Sequence, residues 1–172
     1  MAEAAGRGRT LIAALGNPLR GDDGLGAALL EELRRRGLER RARLLDLCAG
    51  GVDLLLELEG VGALVLLDAV ASDHAPGTLC LLEGEEIFRY AEARGAGSHQ
   101  PSLASTLRLA RQLGLLPSRI AVVGVAASRF DFGEVLSPAV ARALPQAARL
   151  VERILSRWEG AGEGPDTLGR EA

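Results

Sequence analysis

Two adjacent aspartates, Asp22 and Asp23, sit in the stretch GNPLRGDDGLG, residues 16–26. Glycine-rich turns between a strand and a helix often cradle phosphate. This one puts two carboxylates where the anion would lie. A third aspartate, Asp68, directly follows the apolar run LVLL, and His99 stands in ARGAGSHQPSL. Two carboxylates and an imidazole make a hard-to-borderline donor set with open coordination positions, suited to nickel, zinc, iron or manganese. Plainer roles compete with this one. Asp22 or Asp23 can cap a helix, Asp68 can be a structural acceptor, and His99 an ordinary loop residue. His74 and Asp73 read as solvated loop residues, and the EGEE segment, residues 83–86, as a solvated strand end.

Phosphate chemistry fits poorly. A P-loop needs a lysine after its glycines, and the chain contains no lysine. The dinucleotide pattern GxGxxG is out of register at Gly21, Gly24 and Gly26. A phospho-receiver domain would also need a lysine after its last strand, with its acidic pair at a strand end. Here six residues separate Leu15 from Asp22. Ser98 beside His99 makes no triad, because adjacent side chains point apart and no third group orients the base. Without a suitable Ser or Cys nucleophile, any hydrolysis would proceed by direct attack of water.

The elements that must position these residues alternate between strand and helix. Short apolar runs at residues 11–15, 41–48, 62–70, 77–84 and 119–126 read as five strands. The third is apolar on both faces, as at the centre of a parallel sheet. Only about ten residues separate it from the fourth, too few for a usual helical crossover, so the fourth is expected to be antiparallel and near an edge. Helices are expected after the first strand, with Leu25, Leu29 and Leu33 inward and Gly37 at the end; over residues 52–60; over 101–114, with Pro101 in the first turn; and from Ser137–Pro138 onward, with Leu150, Ile154 and Trp158 inward. Pro145 should kink this last helix or split off its first turn. The pattern predicts an α/β fold, a three-layer αβα sandwich with a mostly parallel five-stranded twisted sheet of order 2-1-3-5 and the fourth strand at an edge. Ligands bind such sheets beyond the carboxyl ends of the strands, where strand order reverses. That point lies between strands 1 and 3. It draws the loop aspartates and Asp68 into one crevice, with the His99 loop on the same side.

At 172 residues, with a formal net charge of −3, the chain is expected to be one domain over residues 1–158, followed by a polar, Gly-rich disordered tail over 159–172. That charge argues against nucleic-acid binding. Cys48 and Cys80 have no zinc-type spacing, and Cys80 reads as a buried thiol. The absence of a secretory leader or an apolar run of membrane-spanning length points to a soluble, cytoplasmic protein.

With these residues in place, the chain resembles the hydrogenase maturation proteases. The family opens with G-N-x-L-x-x-D-[DE]-x-x-G after a strand, here GNPLRGDDGLG. A strand-end aspartate followed by P-G-T stands as LVLLDAVASDHAPGT, and a histidine segment opening a helix stands as GSHQPSL. A weaker fourth match is FDFGEVLSPAV before the last helix. The matches keep their order across residues 11–155. The resemblance implies an endopeptidase that removes a short C-terminal extension from the large-subunit precursor of a nickel–iron hydrogenase once nickel is loaded. Its metal-contacting and catalytic residues map onto Asp23, Asp68 and His99. Many family members carry glutamate at position 23, so the shorter Asp23 implies a slightly different ligand distance. The Asp-Asp form looks more like branches serving NAD-reducing or cofactor-reducing hydrogenases. The nickel would be carried by the substrate, no tightly bound cofactor is expected, and the partner would be the nickel-loaded precursor, met by a monomer without nucleic acid or membrane. A non-catalytic metal-sensing chaperone of the large subunit is the alternative implied by the same ligands.

Overall fold

In the computed structural model, residues 9–48, 51–94, 102–133 and 135–160 are described. Five strands, β1 (Arg9–Ala14), β2 (Arg43–Asp46), β3 (Val61–Ala71), β4 (Leu79–Glu83) and β5 (Arg119–Ala127), form one sheet. Its order is β2-β1-β3-β5-β4. All pairs are parallel except β4 with β5, so the fourth strand is the expected antiparallel edge. Helices α1 (Leu25–Arg35) and α5 (Pro138–Gly160) cover one face. Helices α2 (Gly51–Glu57), α3 (Glu86–Arg94) and α4 (Leu103–Gln112) cover the other.

Strand alternation sorts the core. Val65, Leu67 and Ala69 of β3 face α1 and α5, while Leu64 and Leu66 face α2, α3 and α4. Asp68 therefore points to the second face. Leu25, Leu29 and Leu33 of α1 are fully buried, as their spacing requires, and so are Leu107 and Ala110 of α4. Ser102 caps α4, its hydroxyl accepting the Ser105 N–H at 3.2 Å. No helix among the described residues is long and apolar enough to cross a membrane.

Several expectations need correction. Helix α3 was not foreseen: the segment read as a strand end opens a two-turn helix. Neither Asp22 nor Asp23 caps α1, whose N-cap is Gly24 without a side-chain bond. Asp68 does not end β3, because β5 keeps pairing with it as far as Ala71 opposite Ala127, after β1 has stopped at Ala14 opposite Leu67. Of the two outcomes expected at Pro145, a split is not seen: α5 runs as one helix to Gly160, past residue 158. Cys80 is only half-buried, since β4 lies at the open edge of the sheet. Pro101, Gly50, His99 with residues 95–100 of its loop, and residues 161–172 lie outside the described residues.

Candidate active site

The chain leaves β1 at its carboxyl end and turns at Gly16, whose φ of +100° suits glycine alone. A Cβ there would stand 2.1 Å from the Asp23 carbonyl oxygen. The loop thus folds back onto its own start. Asp23 Oδ2 accepts the Asn17 N–H at 2.8 Å, and Asn17 Oδ1 accepts the Leu19 N–H at 2.9 Å. Helix α1 begins equally close: a Cβ at Gly26 would lie 2.3 Å from the Leu15 carbonyl oxygen and 2.8 Å from that of Leu67. This contact seats the helix start on the carboxyl ends of β1 and β3, at the reversal in strand order.

Asp22 turns away from the crevice. It is fully buried and joins two distant loops. Its Oδ1 accepts the Ser137 N–H at 2.6 Å, and its Oδ2 accepts the Ser137 hydroxyl at 3.1 Å and the Arg129 N–H at 3.3 Å. These bonds tie the β1–α1 loop to the β5–α5 connection. A backbone bridge from Arg20 to Gly133 supports the junction.

Asp68 has no solvent exposure. Its Oδ1 accepts the Ala69 N–H at 2.9 Å and Nη2 of Arg94 at 3.4 Å. Its Oδ2 accepts the Tyr90 hydroxyl and Nε of Arg94. Burial pushes the Asp68 carboxyl above the usual carboxylate range, against the downward pull of Arg94 and of the Tyr90 hydrogen bond. The charge of Asp23 adds to the upward push, so the two carboxylates share one field. Burial and then the charge of Asp68 raise the Tyr90 phenol well above its ordinary value. For Arg94, burial acts downward, but the attraction of Asp68 prevails and the guanidinium is held more firmly protonated than usual.

Asp23 lies in the loop after β1 and Asp68 on the neighbouring strand β3, near enough for the charge of Asp23 to act on Asp68, and His99 lies outside the described residues. Among the described residues no three His, Cys, Asp or Glu side chains converge on a point. Tyr90 and Arg94 were missed by sequence reasoning. The signal was the helical spacing of Ile87, Tyr90, Ala91 and Arg94, hidden behind the acidic EGEE segment. A separate cavity of about 420 Å³, lined by residues including Phe88, Arg111 and Trp158, lies at the amino end of β5, away from this crevice.

Comparison with known proteins identifies the family and bears out the fold. The profile of the family described as hydrogenase maturation protease matches residues 27–154. The chain is 32% identical over 152 residues to the hydrogenase expression/formation protein HupD of Rhodobacter capsulatus, covering 87% of this chain and 72% of that one. It is 29% identical over 166 residues to the hydrogenase 2 maturation protease of Escherichia coli, covering 95% and 98%. The structure of the hydrogenase-maturating endopeptidase HybD from E. coli superposes with a TM-score of 0.75 at 26% identity, over 87% of this chain and 93% of that one. The [NiFe] hydrogenase maturation protease HybD of Thermococcus kodakarensis gives a TM-score of 0.68 at 28% identity, over 86% and 99%. The chain belongs to the hydrogenase maturation protease family, and it is a peptidase with a role in hydrogenase maturation.

Proposed function

We propose that this peptidase removes the C-terminal extension of a nickel-loaded hydrogenase large-subunit precursor, acting as a cytoplasmic monomer, and that Asp23, Asp68 and His99 meet the metal that the precursor carries. The observation that supports this most is the carboxylate pair at the reversal of strand order. A fully buried carboxylate is costly unless a cation accompanies it, and Asp68 already faces one in Arg94. Carboxylate oxygens and an imidazole suit a hard or borderline cation, which would take the place of Arg94 at Asp68. Asp68 is held by β3 and Asp23 by the Gly16 turn, so both carboxylates stand on rigid supports. Nickel is cargo of the substrate here. It would polarise the scissile carbonyl or lower the pKa of a water. Asp23, half-buried and anchored through one oxygen, or Asp68, whose burial raises its basicity, would take the proton from that water.

The test is incubation of the purified protein with nickel-loaded and nickel-free precursor, read by intact mass. Only the loaded form should lose its extension, and Asp68→Asn or His99→Ala should leave it whole while remaining folded. A stable complex with no change in mass would instead identify a chaperone. Equal trimming of both precursor forms would overturn the metal requirement.

A further inference from the structure

The Asp68 carboxylate has no acceptor position to spare. An ionised carboxylate offers about four lone-pair sites, and four donor contacts fill them: Ala69 N–H, the Tyr90 hydroxyl, and Nε and Nη2 of Arg94. A cation that coordinates Asp68 must therefore displace a donor. The donors differ in their freedom to leave. Ala69 is fixed by β3, which pairs with β5 at that point. The Tyr90 ring packs against the core beneath α3 and α4. Arg94 is the last residue of α3, and its side chain is 28% exposed where that of Asp68 is 0% exposed. It stands between the carboxylate and solvent on a flexible stem. A guanidinium does not lose its proton in a protein, so it leaves only by rotating outward in favour of another cation. The charge of Asp23 also acts on Arg94. The guanidinium thus sits in the field of both carboxylates that the proposed function gives to the metal.

We propose that Arg94 is a specificity-determining residue, a built-in singly charged competitor that holds Asp68 and yields it to a divalent cation. This rests on the metal-contacting role proposed for Asp68. A precursor end without metal, or one bearing a single positive charge, brings nothing that outbids the two-pronged guanidinium. A divalent ion with open coordination positions does. Arg94 acts through Asp68 and is a positioning residue. Apparent affinity for the ion is the intrinsic affinity reduced to the fraction of time that Asp68 is free.

The experiment titrates the full-length protein with nickel chloride alone, by calorimetry, for the wild type, Arg94→Lys and Arg94→Gln, each with and without Asp68→Asn. Circular dichroism checks the fold. Arg94→Gln should bind nickel about tenfold tighter or more, as expected when a competing state is removed. Arg94→Lys keeps the charge but loses the fork, and should fall between the two. With nickel-loaded precursor, the effect of Arg94→Gln should fall on KM, which drops, rather than on kcat. A purely structural role for Arg94 would lower stability without tightening nickel binding. If neither Arg94 variant binds nickel more tightly while Asp68→Asn weakens binding, the competitor role is overturned and the ligand role of Asp68 stands. If Asp68→Asn changes nickel affinity in neither background, both proposals fail. Should Arg94→Gln not fold, Arg94→Lys carries the comparison alone, and no tightening there overturns the proposal.

Discussion

Asp68 is a carboxylate held by two opposing influences. Burial favours its neutral form, and Arg94 with Tyr90 favours the charged one; burial prevails. The consequence for stability has a definite sign. A carboxyl whose pKa is higher in the folded than in the unfolded chain contributes stability that is complete below the unfolded value, about 4. That contribution is lost as pH rises through the folded value. Asp68→Asn removes the titration and keeps the shape. The stability of the wild type relative to Asp68→Asn should therefore decline as pH rises from about 4 through the raised Asp68 range. Urea unfolding of both proteins across that range measures it. A relative stability that rises with pH would mean that the Arg94 ion pair, not burial, governs the carboxyl.

At the scale of elements, the site depends on how loops and helix starts are fixed to strand ends. Asp22 is the clearest case. Replacing it with alanine strands the buried Ser137 N–H and hydroxyl, and releases the N–H of the more exposed Arg129. Each buried unpaired group costs about 1–3 kcal/mol, so Asp22→Ala should lower stability by about 2 kcal/mol or more, with Asp22→Asn milder. Thermal and urea unfolding read this directly. Gly26 gives a second prediction in which two effects disagree. Helix propensity alone would make Gly26→Ala stabilising by about 1 kcal/mol. The contact with the Leu15 and Leu67 carbonyl oxygens opposes it, and backbone cannot yield as a flexible side chain does. Overpacking of about 1–3 kcal/mol prevails, so the variant should melt lower and process precursor more slowly. A higher melting temperature would show that the helix start can shift. These same elements show what a sequence discloses. Strand order was legible because apolar runs and crossover lengths are local features. The role of Asp22 was not, because the cap reading looked to the next turn while its partners lie 107 and 115 residues away. The partners of Asp68 were hidden for a related reason. They sit on a short helix whose apolar stripe, Ile87 and Ala91, is interrupted by charged residues and preceded by an acidic run.

On the scale of the whole molecule, one sheet separates two apolar layers, and the candidate site sits where their ends meet. Leu29 of α1 is fully buried in the layer under α5, and Leu107 of α4 is fully buried in the layer under α2 and α3. Because β1, β3 and β5 contribute alternate residues to both layers, neither layer can lose its packing while the other keeps the strands in place. The two layers should unfold together. Leu29→Ala and Leu107→Ala should each cost about 2–5 kcal/mol, as buried leucine truncations do. Their side chains lie on opposite faces and share no cavity, so the double variant should lose the sum to within about 0.5 kcal/mol. Fluorescence of Trp158 and far-ultraviolet circular dichroism should give one coincident urea transition in all three variants. A Trp158 signal that moves ahead of the helical signal in Leu29→Ala would mean that the α1–α5 layer opens alone. Asp68, which faces the other layer, would then keep its partners in a half-open chain.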